Sequence, residues 1–512
     1  MMRAVLVALG LVLASCARPP TVEVGGERLV GKHDGSSITF LGVPYAEPPV
    51  GELRWRAPRS LASKLPERDA TQFAPACMQT MRILDWYRYL AETFGGSRDY
   101  YPDLEISEDC LYLNVWTPTL DRDASLPVMV WVHGGSNISG WPFEPNYHGH
   151  ALAQRGVIVV SIAYRLGIFG FMSHPDLDPD SGLANFGLLD IVSALGWIQE
   201  NIEAFGGDPD RVTLFGESSG GHNIISLMAT DAAGSLFNRA IVQSAAGYGI
   251  RMSTLEEMQQ QGIRLAEAVG IEGEDTLSGL RARPADQLLD AYVGQVSDGL
   301  QYPTIDNQLF ADYPWKSFMA GQTRDVALII GTNKDEWLDY IDRDATRDDV
   351  VRTANELDYI AADSALEAIA GESDPRRAMD RLITADNFVC ASQALARAFA
   401  EAGTGAWVYY FSRVREGAGG RRLGAFHGAE YPYVFDTHDS YMQTTDADLE
   451  LTKTMQDYWT SFAASGDPNT EAASEWPRFE APAFAVQELG DVIRTIPAPE
   501  AELCRAFSAD PD

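Results

Sequence analysis

Short runs of β-branched and aromatic residues, apolar almost from end to end, constrain what this chain can fold into. They include Val128–Val132 (VMVWV), Val157–Tyr164 (VIVVSIAY), Val212–Phe215 (VTLF), Ala240–Gln243 (AIVQ), Val326–Ile330 (VALII) and Trp407–Phe411 (WVYYF). A strand with one wet face alternates apolar and polar residues, whereas a strand covered on both faces does not. Between many of these runs lie helical patterns. In LLDIVSALGWIQENIEAF, Leu188, Ile191, Leu195, Ile198 and Ile202 recur at spacings of three and four, which is one face of a helix. Strands alternating with helices predict an α/β fold with a large, mostly parallel central sheet flanked by helices. In such folds the active site lies at the carboxyl ends of the strands.

Length alone, 512 residues, would suggest about three domains of ~150 residues. No Pro/Ser-rich spacer, low-complexity tract or internal repeat marks a split. The expectation is therefore one domain over residues 22–512. The formal charge is −34, from 73 acidic and 39 basic residues. Binding to nucleic acid needs clustered Lys and Arg, so this balance argues against it. It bears on solubility and leaves the oligomeric state open.

The chain opens with a positive Arg3 and an apolar stretch, Ala4–Ala14, too short to span a bilayer. The following LASC, Leu13–Cys16, resembles a bacterial lipobox. Residues 1–15 then form a signal peptide cleaved before a lipidated Cys16, and that lipid is the expected link to a membrane. Cleavage after Ala17 is the competing reading. Either way the protein is expected to be exported, anchored toward the periplasm or cell surface or else free. Setting Cys16 aside leaves Cys77, Cys110, Cys390 and Cys504. Four cysteines in an oxidising compartment suit two disulfides, with three possible pairings.

The chemistry is carried by VTLFGESSGGHNIISLMA. A strand runs into Gly216-Glu217-Ser218-Ser219-Gly220 and then into a helix-compatible run. G-x-S-x-G in that setting forces strained dihedrals on the central Ser218 and presents its hydroxyl at a strand end. A serine hydroxyl needs a base, and the base an orienting acid, in the chain order Ser, acid, His. His427, in GAFHGAEY after the strand WVYYF, is preferred to His438, in the polar turn DTHDS. Glu336 follows VALII, with Asp335 as the neighbour to exclude. The loop His133-Gly134-Gly135-Ser136, after VMVWV, suits backbone donors to an oxyanion, joined by the N–H of Ser219. His148 and His150 are separated by one residue, but no further metal-ligand pattern accompanies them. The chemistry read here needs neither metal nor cofactor.

Taken with FLGVPYAEPPVGELRW, SEDCLYLNVW, WVHGG, AYRLGIFGF, NFGLLD, QSAAG, GTNKDE and FHGAE in this order, the chain resembles the type B carboxylesterase/cholinesterase family of α/β-hydrolases. The resemblance runs from about Val22 to the C-terminus. It implies hydrolysis of a small-molecule carboxylic ester through an acyl-enzyme. Ser218 is then the nucleophile, Glu336 the acid and His427 the base, with oxyanion donors from Gly135, Ser136 and Ser219. It further implies Glu217, Ser244 and Glu430 as supports for the histidine, and disulfides Cys77–Cys110 and Cys390–Cys504. Arg54 with Glu108 and Arg165 with Asp190 are implied as structural salt bridges. The same fold also serves lipases, thioesterases and amidases, and some members of the family are non-catalytic adhesion proteins. In this chain Asn137 stands where an aromatic is more usual, and is expected to alter the acyl-side pocket. Ser219 replaces a more usual alanine, with a side chain expected to be harmless to its own N–H, and Ser218 remains the nucleophile. Tyr100 or Tyr101 lies near the position of the tryptophan that binds quaternary ammonium in cholinesterases, with Trp86 elsewhere in that loop.

Overall fold

Eleven strands form one sheet in the computed structural model, which describes residues 18–508 except 63–64, 274 and 297–300. Cys16 and the expected signal segment therefore lie outside the described residues. In chain order the strands are β1 (Lys32–Asp34), β2 (Ser37–Pro44), β3 (Tyr112–Thr117), β4 (Leu126–Val132), β5 (Ile158–Ile162), β6 (Gly207–Glu217), β7 (Arg239–Gln243), β8 (Ala327–Asn333), β9 (Ala406–Phe411), β10 (Val486–Leu489) and β11 (Arg494–Ile496). Across the sheet they lie in the order β11-β10-β9-β8-β7-β6-β4-β5-β3-β2-β1. Pairing is parallel from β10 through to β5. It is antiparallel at the two edges.

Each apolar run of the sequence falls on a strand of the parallel block, and the reason is coverage. Val128 to Val132 of β4 are fully buried, in register with Ile158–Ile162 on one side and with Val212–Gly216 on the other. Helices pack on both faces. The helix Phe186–Asn201 buries Leu188, Ile191, Leu195 and Ile198. It stops sooner than the apolar periodicity suggests: Ile202–Phe205 tightens into a 3₁₀ turn that ends at Gly206. Ile202 is still fully buried, because the tighter turn keeps it on the sheet-facing side. The helix Asp446–Ser465 lies across the other face, burying Met455, Trp459 and Phe462 among its own residues.

Two disulfides, Cys77–Cys110 and Cys390–Cys504, fasten excursions from this scaffold. Arg54 reaches Glu108 at 2.6 Å through two parallel hydrogen bonds. Arg165 does the same to Asp190, at 2.7 Å for both bonds, with the two side chains almost wholly out of solvent. Burial pushes the Asp190 carboxyl up and Arg165 pulls it back. Breaking such a pair strands a charge in a low-dielectric interior. Arg165→Met is expected to cost about 3–5 kcal/mol of unfolding free energy in a denaturant titration. The double variant Arg165→Met/Asp190→Leu should recover much of that loss, and an undiminished loss would assign the effect to packing.

Candidate active site

The carboxyl edge of the parallel block carries nearly every residue singled out above. β4 ends at Val132, directly before His133-Gly134-Gly135-Ser136. β6 ends at Glu217, before Ser218, and β7 ends at Gln243, before Ser244. β8 ends at Asn333, three residues before Glu336. His427 lies in the connection that follows β9.

Ser218 has φ 52° and ψ −127°, a region that residues with a Cβ rarely occupy. Its N–H donates to Gln243 O at 2.9 Å, and its carbonyl accepts from His222 N at 2.9 Å, so the bend is pinned on both sides. The flanking glycines are needed for space. Neither has positive φ. A Cβ on Gly216 would stand 2.5 Å from Val132 O, and one on Gly220 only 2.1 Å from the same atom. The glycines thus let the bend and the following helix, Ser219–Met228, sit directly against the end of β4.

The Nδ1 of His427 lies 2.7 Å from Glu336 Oε2. The other oxygen of Glu336 accepts from Asn333 N at 2.7 Å. Nε2 lies 3.1 Å from Glu217 Oε1. That contact is off the line of an N–H bond, and Glu217 Oε1 accepts no hydrogen bond among the described residues. No hydrogen bond joins His427 to Ser218 among the described residues, although both line one cavity of about 490 Å³. Burial alone would depress the imidazole. The negative field of Glu217, its bond to Glu336 and the charge of Glu430 overturn this and push it up to about 9. Burial pushes the Glu217 carboxyl up as well, against the pull of His427.

Glu430 is fully buried and reaches the site through intermediaries. It accepts from Asn333 Nδ2 at 2.6 Å and from Gln243 Nε2 at 2.9 Å. Asn333 also holds Phe426 O, just before His427, at 2.8 Å. Sequence reasoning missed both Asn333 and Gln243. Each is a polar residue at the buried carboxyl end of a largely apolar strand, and that was the available signal. Ser244 has φ 50°, and its buried hydroxyl has no partner among the described residues, so no contact with His427 supports the expected role. Asp335 holds Ala425 N at 2.8 Å and lies outside the cavity lining. His438 is bonded to Arg415 and Thr452, also away from the cavity. Among the described residues no group of three or more His, Cys, Asp and Glu is placed to hold a metal ion.

The N–H groups of Gly135 and Ser136 in the facing loop, and of Ser219 at the bend, make no hydrogen bond among the described residues. The expectation for Asn137 needs correction. Asn137 does not line the cavity. It has φ 57°, a left-handed conformation that asparagine tolerates. Its side chain is fully buried, exchanging hydrogen bonds with Asn223 and donating to Gln301 O at 3.0 Å. Ser219 contributes its side chain too: Oγ accepts from Asn137 N at 3.1 Å, tying the facing loop to the bend. Trp86 lines the cavity, whereas Tyr100 and Tyr101 do not.

The chain and its fold have counterparts. Residues 19–491 match the model of the Carboxylesterase family. The chain belongs to the carboxylesterase family. It is 36% identical over 474 residues to the fumonisin B1 esterase of Sphingopyxis macrogoltabida, covering 87% of this chain and 82% of that one. It is 34% identical over 467 residues to the para-nitrobenzyl esterase of Bacillus subtilis, covering 88% and 91%. A crystal structure of a Geobacillus stearothermophilus carboxylesterase superposes with a TM-score of 0.82 at 29% identity, covering 95% of this chain and all of that one. The fold is thus the α/β-hydrolase fold, and the protein is a carboxylic ester hydrolase.

In this carboxylesterase the bend has no room for a methyl group at Gly220. Gly220→Ala is expected to cost about 1–3 kcal/mol of stability from overpacking. It should also lower esterase activity more than the loss of folded protein explains, as measured by thermal melts alongside ester turnover.

Proposed function

We propose that Ser218, His427 and Glu336 act as nucleophile, base and orienting acid in an acyl-enzyme mechanism. The observation that carries this reading is the strained Ser218 at a strand end, sharing a cavity with a histidine whose far nitrogen is bonded to Glu336. His427 Nε2 takes the hydroxyl proton as Ser218 Oγ attacks the ester carbonyl carbon. Glu336 keeps the proton of the ring on Nδ1 and stabilises the imidazolium. The N–H groups of Gly135, Ser136 and Ser219 receive the developing oxyanion, and their lack of other hydrogen bonds among the described residues supports that role. His427 then protonates the departing alcohol. Water attacks the acyl-Ser218 ester, with His427 as base again, and releases the acid.

Glu217 and Glu430 have a defined part here. A base that becomes cationic inside an apolar edge needs compensating charge, and these buried carboxyls supply it. The relatives named for fumonisin B1 and para-nitrobenzyl esters support a small-molecule ester substrate. We further propose that residues 22–512 work as one catalytic domain. Export is supported by the two disulfides, which persist in oxidising compartments. Among the described residues no helix is long and apolar enough to cross a membrane. Attachment is assigned to a lipid on Cys16, and mass spectrometry of the mature N-terminus distinguishes this from cleavage after Ala17.

Ser218→Ala is expected to lower kcat for a chromogenic ester by roughly 10⁴–10⁶-fold with folding intact. A fluorophosphonate should add its mass to Ser218 in the parent and not in the variant. Retained turnover in Ser218→Ala with loss in Ser219→Ala would overturn the assignment. Because the base must be neutral to accept a proton, and its pKa is pushed up to about 9, kcat/KM should rise with pH across neutrality toward that value. Glu217→Gln removes the largest charge holding the proton on His427. The acid limb of the kcat/KM profile should therefore move to lower pH.

A further inference from the structure

Arg82 breaks a local rule. It is the first residue of the helix Arg82–Thr93, where exposed N–H groups and the helix dipole disfavour a cation. The acid one turn on, Asp85, is already paired with Arg98 at 2.6 Å and lies 4.0 Å from Arg88. Among the described residues Arg82 has no ion pair. Its one hydrogen bond runs from Nη1 to Ser136 Oγ at 3.3 Å. Ser136 belongs to the loop facing Ser218, so the guanidinium stands beside the proposed oxyanion site, on the wall of the same cavity.

The acidic groups lining that cavity already have partners. Glu217 faces His427. Asp339 accepts from Tyr89 OH at 2.5 Å, and that hydroxyl is itself held by Arg422 at 2.8 Å. Glu144 is bonded to Tyr87 OH and Trp141 N. Arg82 is the sole Lys or Arg in the lining, and it has no ion pair among the described residues. Its surroundings are aromatic, with Trp86 and Tyr340 in the same wall. A guanidinium fork matches a carboxylate with two parallel hydrogen bonds, and apolar walls strengthen the attraction over its value in water.

We propose that Arg82 is a carboxylate-binding specificity residue, and that the preferred substrates are esters bearing a second, ionised carboxylate a short spacer from the scissile carbonyl, as in half-esters of dicarboxylic acids. This rests on the esterase reading above. It runs against the overall charge of −34, so the selection is made locally, by the one guanidinium in the cavity lining. A quaternary-ammonium ester held by the aromatic wall is the competing occupant, and Arg82 repels it.

The test compares monomethyl glutarate with dimethyl glutarate, which share one acyl chain and differ in charge, and adds a choline ester. The parent should favour the half-ester in kcat/KM, with the preference reduced by high salt. Arg82→Gln should lower the half-ester to diester ratio by roughly 10–100-fold, mainly through KM. Arg82→Lys should retain part of the ratio, and Arg82→Glu should invert it toward the choline ester. Arg82 is exposed, and thermal melts check that each variant is folded. If the parent hydrolyses both glutarates and Arg82→Gln leaves their ratio unchanged, the inference is wrong and the esterase reading stands. A parent that prefers the choline ester also overturns it. A parent that hydrolyses none of the three overturns both readings.

Discussion

The contact on which the site depends is the close approach of the Ser218 bend to the end of β4. Val132 O lies where a Cβ on Gly216 or Gly220 would have to go. That approach sets the facing loop, Gly134 to Ser136, against the bend, and the Asn137 N to Ser219 Oγ hydrogen bond fastens the two together. The strain at Ser218 is tolerable because parallel strands fix its neighbours on both sides. β6 is hydrogen-bonded to β4 and β7, and the bend itself is held by Gln243 O. A strained residue at the end of an isolated hairpin would relax.

Charge is the second constraint. Glu217, Glu336, Glu430 and His427 converge at one edge of an apolar sheet. Burying carboxylates without partners is costly, so the structure surrounds them with Asn333, Gln243 and backbone donors. The same arrangement raises the proton affinity of His427. Stability and the proposed chemistry therefore draw on one cluster, with the buried acids supporting the cationic form that a base adopts during the reaction. Arg165–Asp190 shows the contrasting structural case, a bidentate pair that satisfies itself away from the cavity.

The cavity divides these tasks. Its floor carries Ser218 and His427, and its walls carry aromatic rings and Arg82. Asn137 shows how an unusual residue can mislead. Its polarity serves a hydrogen-bonded layer behind the loop and leaves the cavity wall alone. Ser136, its neighbour, is the one that meets the cavity, through Arg82.

The linear order of residues determined the strand runs, the parallel block and the placement of Ser218 at a strand end. These rest on local periodicity and on the chemistry of one tight turn, which a chain displays in short windows. The proposed partners of Ser218, Glu336 and His427, could be named because chain order and strand context leave few candidates. Asn333, Gln243 and Arg82 were not, since each acts only through residues far away in sequence. Asn333 reaches Glu430 across 97 positions, Gln243 reaches it across 187, and Arg82 meets Ser136 across 54. The sequence by itself fixes which residues can be buried. Only the packed sheet decides which buried groups meet, because its strand order joins segments in space without regard to their separation along the chain.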